Sequence, residues 1–147
     1  MRWLCVDYGH VRVGLATGWD EDGFATPVKM VTGGNDVHVI REIIVAVREY
    51  DCHGIVVGWP INMDDTEGPQ AIKTRMFAAE LAKVAEHHGL HLDVRMWDER
   101  LSSFAADSAL AGQMTRGKRK ARQDAIAAAA ILTAFFDSDG PKTAQKP

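Results

Sequence analysis

The chain has 147 residues, of which 46% are hydrophobic and 25% charged, so its length and composition are those of one globular domain. The formal net charge of −3 argues against a nonspecific nucleic-acid coat, and the longest apolar runs are far too short to span a bilayer. Cys5 and Cys52 fit neither a metal spacing nor a disulfide framework, and the short apolar run between Arg2 and Asp7 is not a signal peptide, which predicts a protein of the reducing cytoplasm.

The first part of the chain predicts three antiparallel strands. Apolar runs at residues 3–6 and 11–16 flank a turn around Gly9, which indicates a hairpin. After a second polar turn, residues 24–31 have the pattern of a third strand. A helix is predicted next, with apolar side chains at helical spacing: Val37, Ile40, Ile43, Ile44 and Val47.

The middle of the chain predicts two further strands separated by a helix. Residues 55–57 are all β-branched and lie between glycines, as is typical of a buried parallel strand. After a long loop, Pro69 suits the first turn of a helix that is expected to end at Gly89. Apolar and polar residues then alternate over residues 90–97, which predicts a half-exposed strand.

The last part of the chain is predicted to be helical. We expect helices at residues 101–110 and 119–136, a mobile loop at 112–117 between them, and a disordered tail at 138–147. The order βββαβαβ followed by two helices defines an α/β fold with a five-stranded mixed sheet, three antiparallel strands and then two parallel ones, flanked by helices. Residues 1–137 are expected to form one domain.

Three acidic residues stand where local structure alone does not require them. Asp7 ends the first strand, Glu99 follows the last strand, and Asp124 lies inside an alanine-rich helix. Ligands gather at the carboxyl ends of neighbouring parallel strands, so Asp7 and Glu99 could converge if the first and last strands both lie in the central region of the sheet. Carboxylate clusters suit Mg²⁺ or Mn²⁺, and two such ions can activate water for phosphodiester cleavage. The pattern predicts a metal-dependent nuclease.

The first two of these acids also have a purely structural interpretation. Asp7 could accept backbone N–H bonds in the turn that Gly9 closes. Asp98 and Glu99 begin a predicted helix, where carboxylates cap exposed N–H groups. Asp98 is the better capping candidate, which leaves Glu99 for metal, although the two roles could be exchanged.

The segment that leads to Asp124 is strongly basic. Asp124 itself could form a salt bridge to Lys120 or to Arg100, which would account for a carboxylate inside a helix. A basic stripe on an acidic body suits phosphate contacts at one place, and a solvated helix start is the alternative. The stripe consists of five cations: Arg116, Lys118, Arg119, Lys120 and Arg122.

Four sequence blocks occur in order along nearly the whole chain, from residue 2 to about residue 136. They are VDYG with RVGLA (6–9 and 12–16), VGWP (57–60), DERLSS (98–103) and DAIAA (124–128). These blocks resemble the signature motifs of the YqgF family, the Holliday-junction-resolvase-like pre-16S rRNA nucleases.

The resemblance implies an RNase H-like fold and a hydrolase with Mg²⁺ or Mn²⁺ in its active site. It implies nuclease action in maturing the 5′ end of 16S rRNA, with Holliday-junction cleavage also attributed to members. Asp7 would bridge two ions, with Glu99 and Asp124 completing their shells. Arg12, Arg100 and the basic stripe would hold backbone phosphates. The expected partners are pre-16S rRNA, branched DNA and ribosomal precursor particles, and the protein would act as a monomer or homodimer.

The chain departs from the family pattern at Trp59, Asp65, Ser103 and Gln123. Asp65 adds negative charge to a loop that is expected to approach nucleic acid. Two other classes of function stay open. A sugar-kinase or actin-like ATPase would need two related domains, for which the chain has no room. A noncatalytic ribosome-assembly or transcription-associated nucleic-acid-binding module fits the overall acidity and the small basic stripe.

Overall fold

The computed structural model describes residues 1–102 and 116–147, and for residues 116–122 it describes the backbone alone. Most of the helix predicted at 101–110 and of the loop predicted at 112–117 therefore lies outside the described residues. Glu99–Leu101 forms a single 3₁₀ turn, and Arg116 already begins the last long helix.

The described residues build a five-stranded sheet from β1 (Arg2–Tyr8), β2 (Arg12–Trp19), β3 (Ala25–Thr32), β4 (Gly54–Trp59) and β5 (Asp93–Asp98). Their spatial order is β3-β2-β1-β4-β5. The β1–β2 and β2–β3 pairs are antiparallel, whereas the β1–β4 and β4–β5 pairs are parallel. The predicted mixed sheet is confirmed, with β1 at its centre.

The two faces of the sheet carry different helices. Helices α1 (Asp36–Glu49) and α2 (Pro69–His87) cover one face, where they pack on alternate residues of β1 such as Leu4 and Val6. Helix α3 (Arg116–Asp137) covers the other face and packs Ile131 and Phe135 on Trp3 and Cys5. Because successive side chains of a strand point to opposite faces, β1 serves both cores. Within the described part of the chain, every helix is too short or too polar to cross a membrane.

The fifth strand begins later than the alternating pattern predicts. Leu90 belongs to the turn that ends α2, where its N–H donates to the carbonyl of Ala85 and Gly89 has a φ of +74°. Leu90 and Leu92 still pack against the α1–α2 core. Their apolar character reflects burial outside the strand ladder, and this is why periodicity alone misplaced the boundary.

The tail differs from the expected disorder. Helix α4 (Gly140–Thr143) follows α3, and Ala144 is buried. The N–H of Met96 donates to the carbonyl of Gln145 at 2.7 Å, and the Arg95 side chain donates to the carbonyl of Ala144 at 2.7 Å. Strand β5 lies at the sheet edge and has unpaired backbone groups, which the tail satisfies. The polar composition of the tail contains no signal for this pairing.

Candidate active site

Asp7 lies at the carboxyl end of the central strand, on the face that α3 covers. Trp3 and Cys5 precede it at alternate positions and are fully buried in the α3 core. Asp7 itself is half-buried, where the core meets an open cavity. The strand period of two therefore aims this carboxylate at the mouth of the cavity beside α3.

Glu99 reaches Asp7 across an intervening strand. It follows β5 at the sheet edge, with β4 between it and β1. The two carboxyl groups nevertheless lie close enough to change each other's pKa. The space between the two side chains, which we call the gap, is open because β4 has Gly58 at this level. A Cβ atom on Gly58 would lie 2.7 Å from Oε1 of Glu99 and 3.0 Å from Cδ1 of Ile131.

Asp124 is brought to the same place by a second glycine. Gly14 of β2 is the antiparallel partner of Asp7, and a Cβ atom on Gly14 would overlap with the backbone carbonyl of Asp124. Without a side chain at Gly14, α3 approaches the sheet closely. Asp7 and Asp124 therefore line one cavity of about 310 Å³, which Arg12 also lines.

A salt bridge from β2 engages Asp124. Nε of Arg12 donates to its Oδ2 at 2.8 Å, and the two side chains are 39% and 25% exposed. This partner was not among the alternatives drawn from the sequence. Arg100 binds other groups instead, and the Lys120 side chain lies outside the described part of the chain.

Asp98 and Glu99 divide their roles as the capping argument predicts. The Asp98 side chain accepts from the backbone N–H of Arg100 at 2.9 Å and from its guanidinium, which lowers the pKa of Asp98. The Glu99 carboxyl is turned toward Asp7 instead. Asp98 therefore caps the 3₁₀ turn, and Glu99 is the residue of this pair that belongs to the acidic centre.

The shared environment holds a proton on the Asp7–Glu99 pair. Burial, followed by the charge of Asp7, raises the pKa of Glu99 to about 8, and burial also raises the pKa of Asp7. Burial raises the pKa of the Cys5 thiol beneath them, and both carboxylates add to that rise. At neutral pH the pair behaves as one carboxylate hydrogen-bonded to one carboxylic acid.

This arrangement fits a hard divalent cation. The donors are carboxylate oxygens, which Mg²⁺ and Mn²⁺ prefer, and a dication would replace the proton that the pair now shares. Among the described residues, no three His, Cys, Asp or Glu side chains already form a complete metal-binding group. Asp7 and Glu99 already lie together, while Asp124 lies beside them and forms a salt bridge with Arg12.

The raised pKa of Glu99 predicts how stability depends on pH in the absence of metal. Between its ordinary pKa of 4.5 and its folded pKa of about 8, the folded protein binds more protons than the unfolded chain. Unfolding free energy must therefore fall as the pH rises through this window. One pKa unit corresponds to about 1.4 kcal/mol, so the roughly two units between pH 6 and pH 8 predict a loss of roughly 3 kcal/mol between pH 6 and pH 9 that Glu99→Gln removes. Urea unfolding in EDTA measures it, and parallel pH profiles for the two proteins would contradict this prediction.

Replacing Gly58 is expected to lower activity, although glycine has no reactive group. In Gly58→Ala the new methyl group would displace the Glu99 carboxyl and separate it from Asp7. A misplacement of about 1 Å in such a centre can cost about a hundredfold in rate. We expect a loss of that order, together with a Glu99 pKa closer to its ordinary value. Gly23→Ala is the control: a Cβ atom there meets nothing within 4 Å, and Gly23 has a φ of +74°, so alanine is strained there, but in a turn remote from the site. It should lower stability and leave activity unchanged. Full activity in Gly58→Ala would refute the role of this gap.

Gly14 and Gly58 are the site residues that the sequence argument did not identify. Both occur in the sequence blocks quoted above, but no role was assigned to them. A signal was present, because counting strand positions places each glycine on the same face and at the same level as Asp7. The predicted phosphate contacts of the basic stripe, Arg116, Lys118, Arg119, Lys120 and Arg122, involve side chains outside the described part of the chain.

The fold is RNase H-like. The structure resembles "T. thermophilus RuvC in complex with Holliday junction substrate" with a TM-score of 0.58 and 17% identity, over 99% of this chain and 98% of that one. At this identity the likeness shows the fold, and the predicted RNase H-like class is confirmed.

The family follows from sequence similarity. The profile described as "RuvX: Holliday junction resolvase" matches residues 1–138. Relatives named "Putative pre-16S rRNA nuclease" include one from Anaeromyxobacter sp. strain K, 38% identical over 96% of this chain and 100% of that protein. Another, from Bacillus thuringiensis strain Al Hakam, is 40% identical over 94% and 99%. The chain belongs to this family, and the predicted class of phosphodiester-hydrolysing nuclease is confirmed.

Proposed function

We propose that this protein is a divalent-metal-dependent endonuclease whose metal ligands are Asp7, Glu99 and Asp124. One observation supports this most strongly: the half-buried carboxyls of Asp7 and Glu99 lie close enough to change each other's pKa, and Asp7 opens together with Asp124 onto one cavity. Without a cation, two adjacent half-buried acids avoid charge repulsion only by holding a proton, an arrangement that a structural role would not require. If Asp7 and Glu99 served only to stabilise the fold, each would be expected to form a salt bridge with a basic side chain.

We propose Mg²⁺ or Mn²⁺ as the cofactor, because both prefer oxygen ligands. When bound, such ions supply water activation and stabilisation of the leaving oxygen. The side chains of this chain fix where that chemistry occurs. Asp7 is held by the central strand, Glu99 by the 3₁₀ turn after β5, and Asp124 by the close approach of α3 at Gly14.

We propose two nucleic-acid substrates on the basis of what the relatives and the family are named for. These are the 5′ end of pre-16S rRNA, alone or within ribosomal precursor particles, and branched DNA of the Holliday-junction type. Arg12, Arg100 and the basic stripe would contact backbone phosphates, which position a substrate without reading its sequence. We place the activity in the cytoplasm, where such precursors are made.

The test is cleavage of two labelled substrates under three metal conditions. A precursor 16S rRNA fragment and a four-way DNA junction are each incubated with Mg²⁺, Mn²⁺ or EDTA. We expect cleavage of at least one of them with metal and none with EDTA. Binding without cleavage of either substrate would favour the noncatalytic module instead. Because symmetric junction cleavage needs two active sites, the mass in solution on each substrate distinguishes a monomer from a homodimer.

A further inference from the structure

A cluster of polar and ionic contacts ties the loop between β4 and α2 to the 3₁₀ turn that carries Glu99. Arg100, which directly follows Glu99, is at its centre. Its Nε donates to both oxygens of Asp98 at 2.9 and 3.0 Å, and its Nη1 donates to the carbonyl of Asn62 at 2.9 Å. Its Nη2 is shared between Asp98 at 2.6 Å and Asp65 at 2.9 Å. This guanidinium therefore joins the turn that carries Glu99 to a loop opposite it.

The two carboxylates on Arg100 are held very differently. The Asp98 side chain is 19% exposed and also caps the 3₁₀ turn, so its contact belongs to the framework. The Asp65 side chain is 84% exposed. An exposed ion pair of this kind contributes only about 0–1 kcal/mol to stability. Asp65 is therefore the carboxylate that a competing anion can replace.

The loop is built to present Asp65 at this point. Asp65 has a φ of +68°, in the left-handed region that few residues other than glycine adopt at low cost. Backbone hydrogen bonds fix the turn around it, from the N–H of Asp65 to Asn62 and from the N–H of Asn62 to Thr66, each at 2.9 Å. Asp64 holds Thr66 from the other side at 2.6 Å. The strained conformation is maintained by these neighbours, and it places a carboxylate on Arg100.

Both arginines that adjoin the acidic centre in the described residues are consequently neutralised by acids of the same chain. Arg12 is paired with Asp124, and Arg100 with Asp98 and Asp65. A guanidinium binds carboxylate and phosphate oxygens with the same fork of N–H groups. A nucleic-acid strand can use Arg100 fully only when its own anionic oxygen takes the place of the Asp65 carboxylate.

We propose that Asp65 is an internal substitute for a backbone phosphate on Arg100, so that the loop at residues 60–68 closes the rim in the free protein and is displaced when nucleic acid binds. This inference rests on the proposed function, since it names the event that admits the substrate to that site. The exchange replaces one anion on Arg100 by another, and it frees the loop when the hydrogen bond to the Asn62 carbonyl is released with it, while the Asp98 contact stays in place.

The test compares Asp65→Asn with Asp64→Asn. Both remove one negative charge from adjacent exposed positions, but only Asp65 contacts Arg100. Asparagine also tolerates the left-handed conformation, so the turn is kept. Binding of the precursor rRNA fragment and of the four-way junction is measured in EDTA at several salt concentrations. We expect Asp65→Asn to bind about three- to tenfold more tightly at low salt, because no ion pair on Arg100 has to be broken first. The slope of log K against log salt should be steeper than in the wild type, because the guanidinium of the free variant is no longer neutralised by Asp65.

Asp64→Asn should leave the salt slope at the wild-type value. Adding Arg100→Gln to Asp65→Asn should abolish the gain, because the freed guanidinium is then absent. Equal gains in Asp64→Asn and Asp65→Asn would reduce the effect to net charge and overturn the inference. Wild-type affinity and slope in Asp65→Asn would overturn it too.

A second measurement does not depend on nucleic acid. In the free protein, amide hydrogen exchange of residues 62–66 should be faster in Asp65→Asn than in the wild type, because the ion pair with Arg100 is replaced by at most a weaker neutral hydrogen bond. Unchanged exchange would show that the contact does not close the loop and would overturn the inference. Faster exchange in a protein that binds neither nucleic acid would instead contradict the proposed function, so the two failures are distinguishable.

Discussion

Asp7→Asn should abolish cleavage and, in EDTA, make the protein more stable. The loss of activity follows because a neutral amide cannot replace an anionic ligand at the centre of a dication site. Removal of a single hydrogen-bond donor to a transition state costs about 10²–10³ in kcat, and loss of the central ligand should cost at least about 10³. Cleavage of the same labelled substrates with Mn²⁺ measures this effect.

The gain in stability has the opposite cause. Asp7 is surrounded by Glu99 and Asp124, and burial and the charge of Asp124 both disfavour its ionised form. The asparagine amide can still accept a hydrogen bond from protonated Glu99 while removing one of the clustered charges. For a chain of this length a gain of 1 kcal/mol raises Tm by about 2–4 °C, which thermal unfolding in EDTA resolves.

Asp22→Asn is the control for the loss of one charge. Asp22 is exposed in the turn after β2 and accepts from the N–H of Phe24, which asparagine can also satisfy. It should change neither cleavage nor Tm. If Asp7→Asn cleaves at the wild-type rate, the assignment of the metal centre is wrong. If it is less stable than the wild type in EDTA, Asp7 has a structural role that repulsion does not explain.

The sequence alone predicted the strands of the sheet and the convergence of two of the three acids, Asp7 and Glu99. Apolar periodicity identified each strand of the described sheet, and strand direction placed Asp7 and Glu99 at the same edge. What it could not supply was the distance between them. Convergence needed an intervening strand without a side chain at the crossing point, and Gly58 looks locally like any glycine that ends a strand.

The position and partner of the third acid, Asp124, depend on contacts between distant parts of the chain. The helix-pair rule suggested Lys120 as a partner for Asp124, because it considers neighbours within one helix. The observed partner, Arg12, is 112 positions away and is set by the packing of α3 over Gly14. The tail was misjudged for a related reason, since its order comes from the edge of β5 and not from its own composition.

Asp124→Asn and Arg12→Ala should change metal affinity in opposite directions. If Asp124 is a ligand, Asp124→Asn weakens Mn²⁺ binding and removes most cleavage. Arg12→Ala removes a cation that competes for the same carboxylate, and so it should strengthen Mn²⁺ binding. Two unit charges about 4 Å apart interact by about 1 kcal/mol even in water, which corresponds to roughly a fivefold change in affinity. Calorimetric titration with Mn²⁺ measures both changes.

The pair formed by Lys29 and Glu42 provides the matched control. Its side chains are 40% and 32% exposed, similar to those of Arg12 and Asp124, and it joins β3 to α1 away from the acidic centre. Lys29→Ala and Glu42→Ala should each leave Mn²⁺ affinity unchanged. Cleavage by Arg12→Ala should decline through weaker substrate binding, seen as a higher KM, because a phosphate contact is lost.

The alternative, in which Asp124 serves only as a salt-bridge partner, predicts a different pattern. Both single variants would then lower stability by similar amounts of about 0–1 kcal/mol, as exposed ion pairs do, and both would keep cleavage at saturating Mn²⁺. A double variant would show the coupling energy of the pair in urea unfolding. Loss of either charge could still shift Mn²⁺ affinity through its electric field alone, so the affinity shifts by themselves do not distinguish the two cases. A loss of cleavage in Asp124→Asn that saturating Mn²⁺ does not restore therefore decides whether Asp124 belongs to the metal centre.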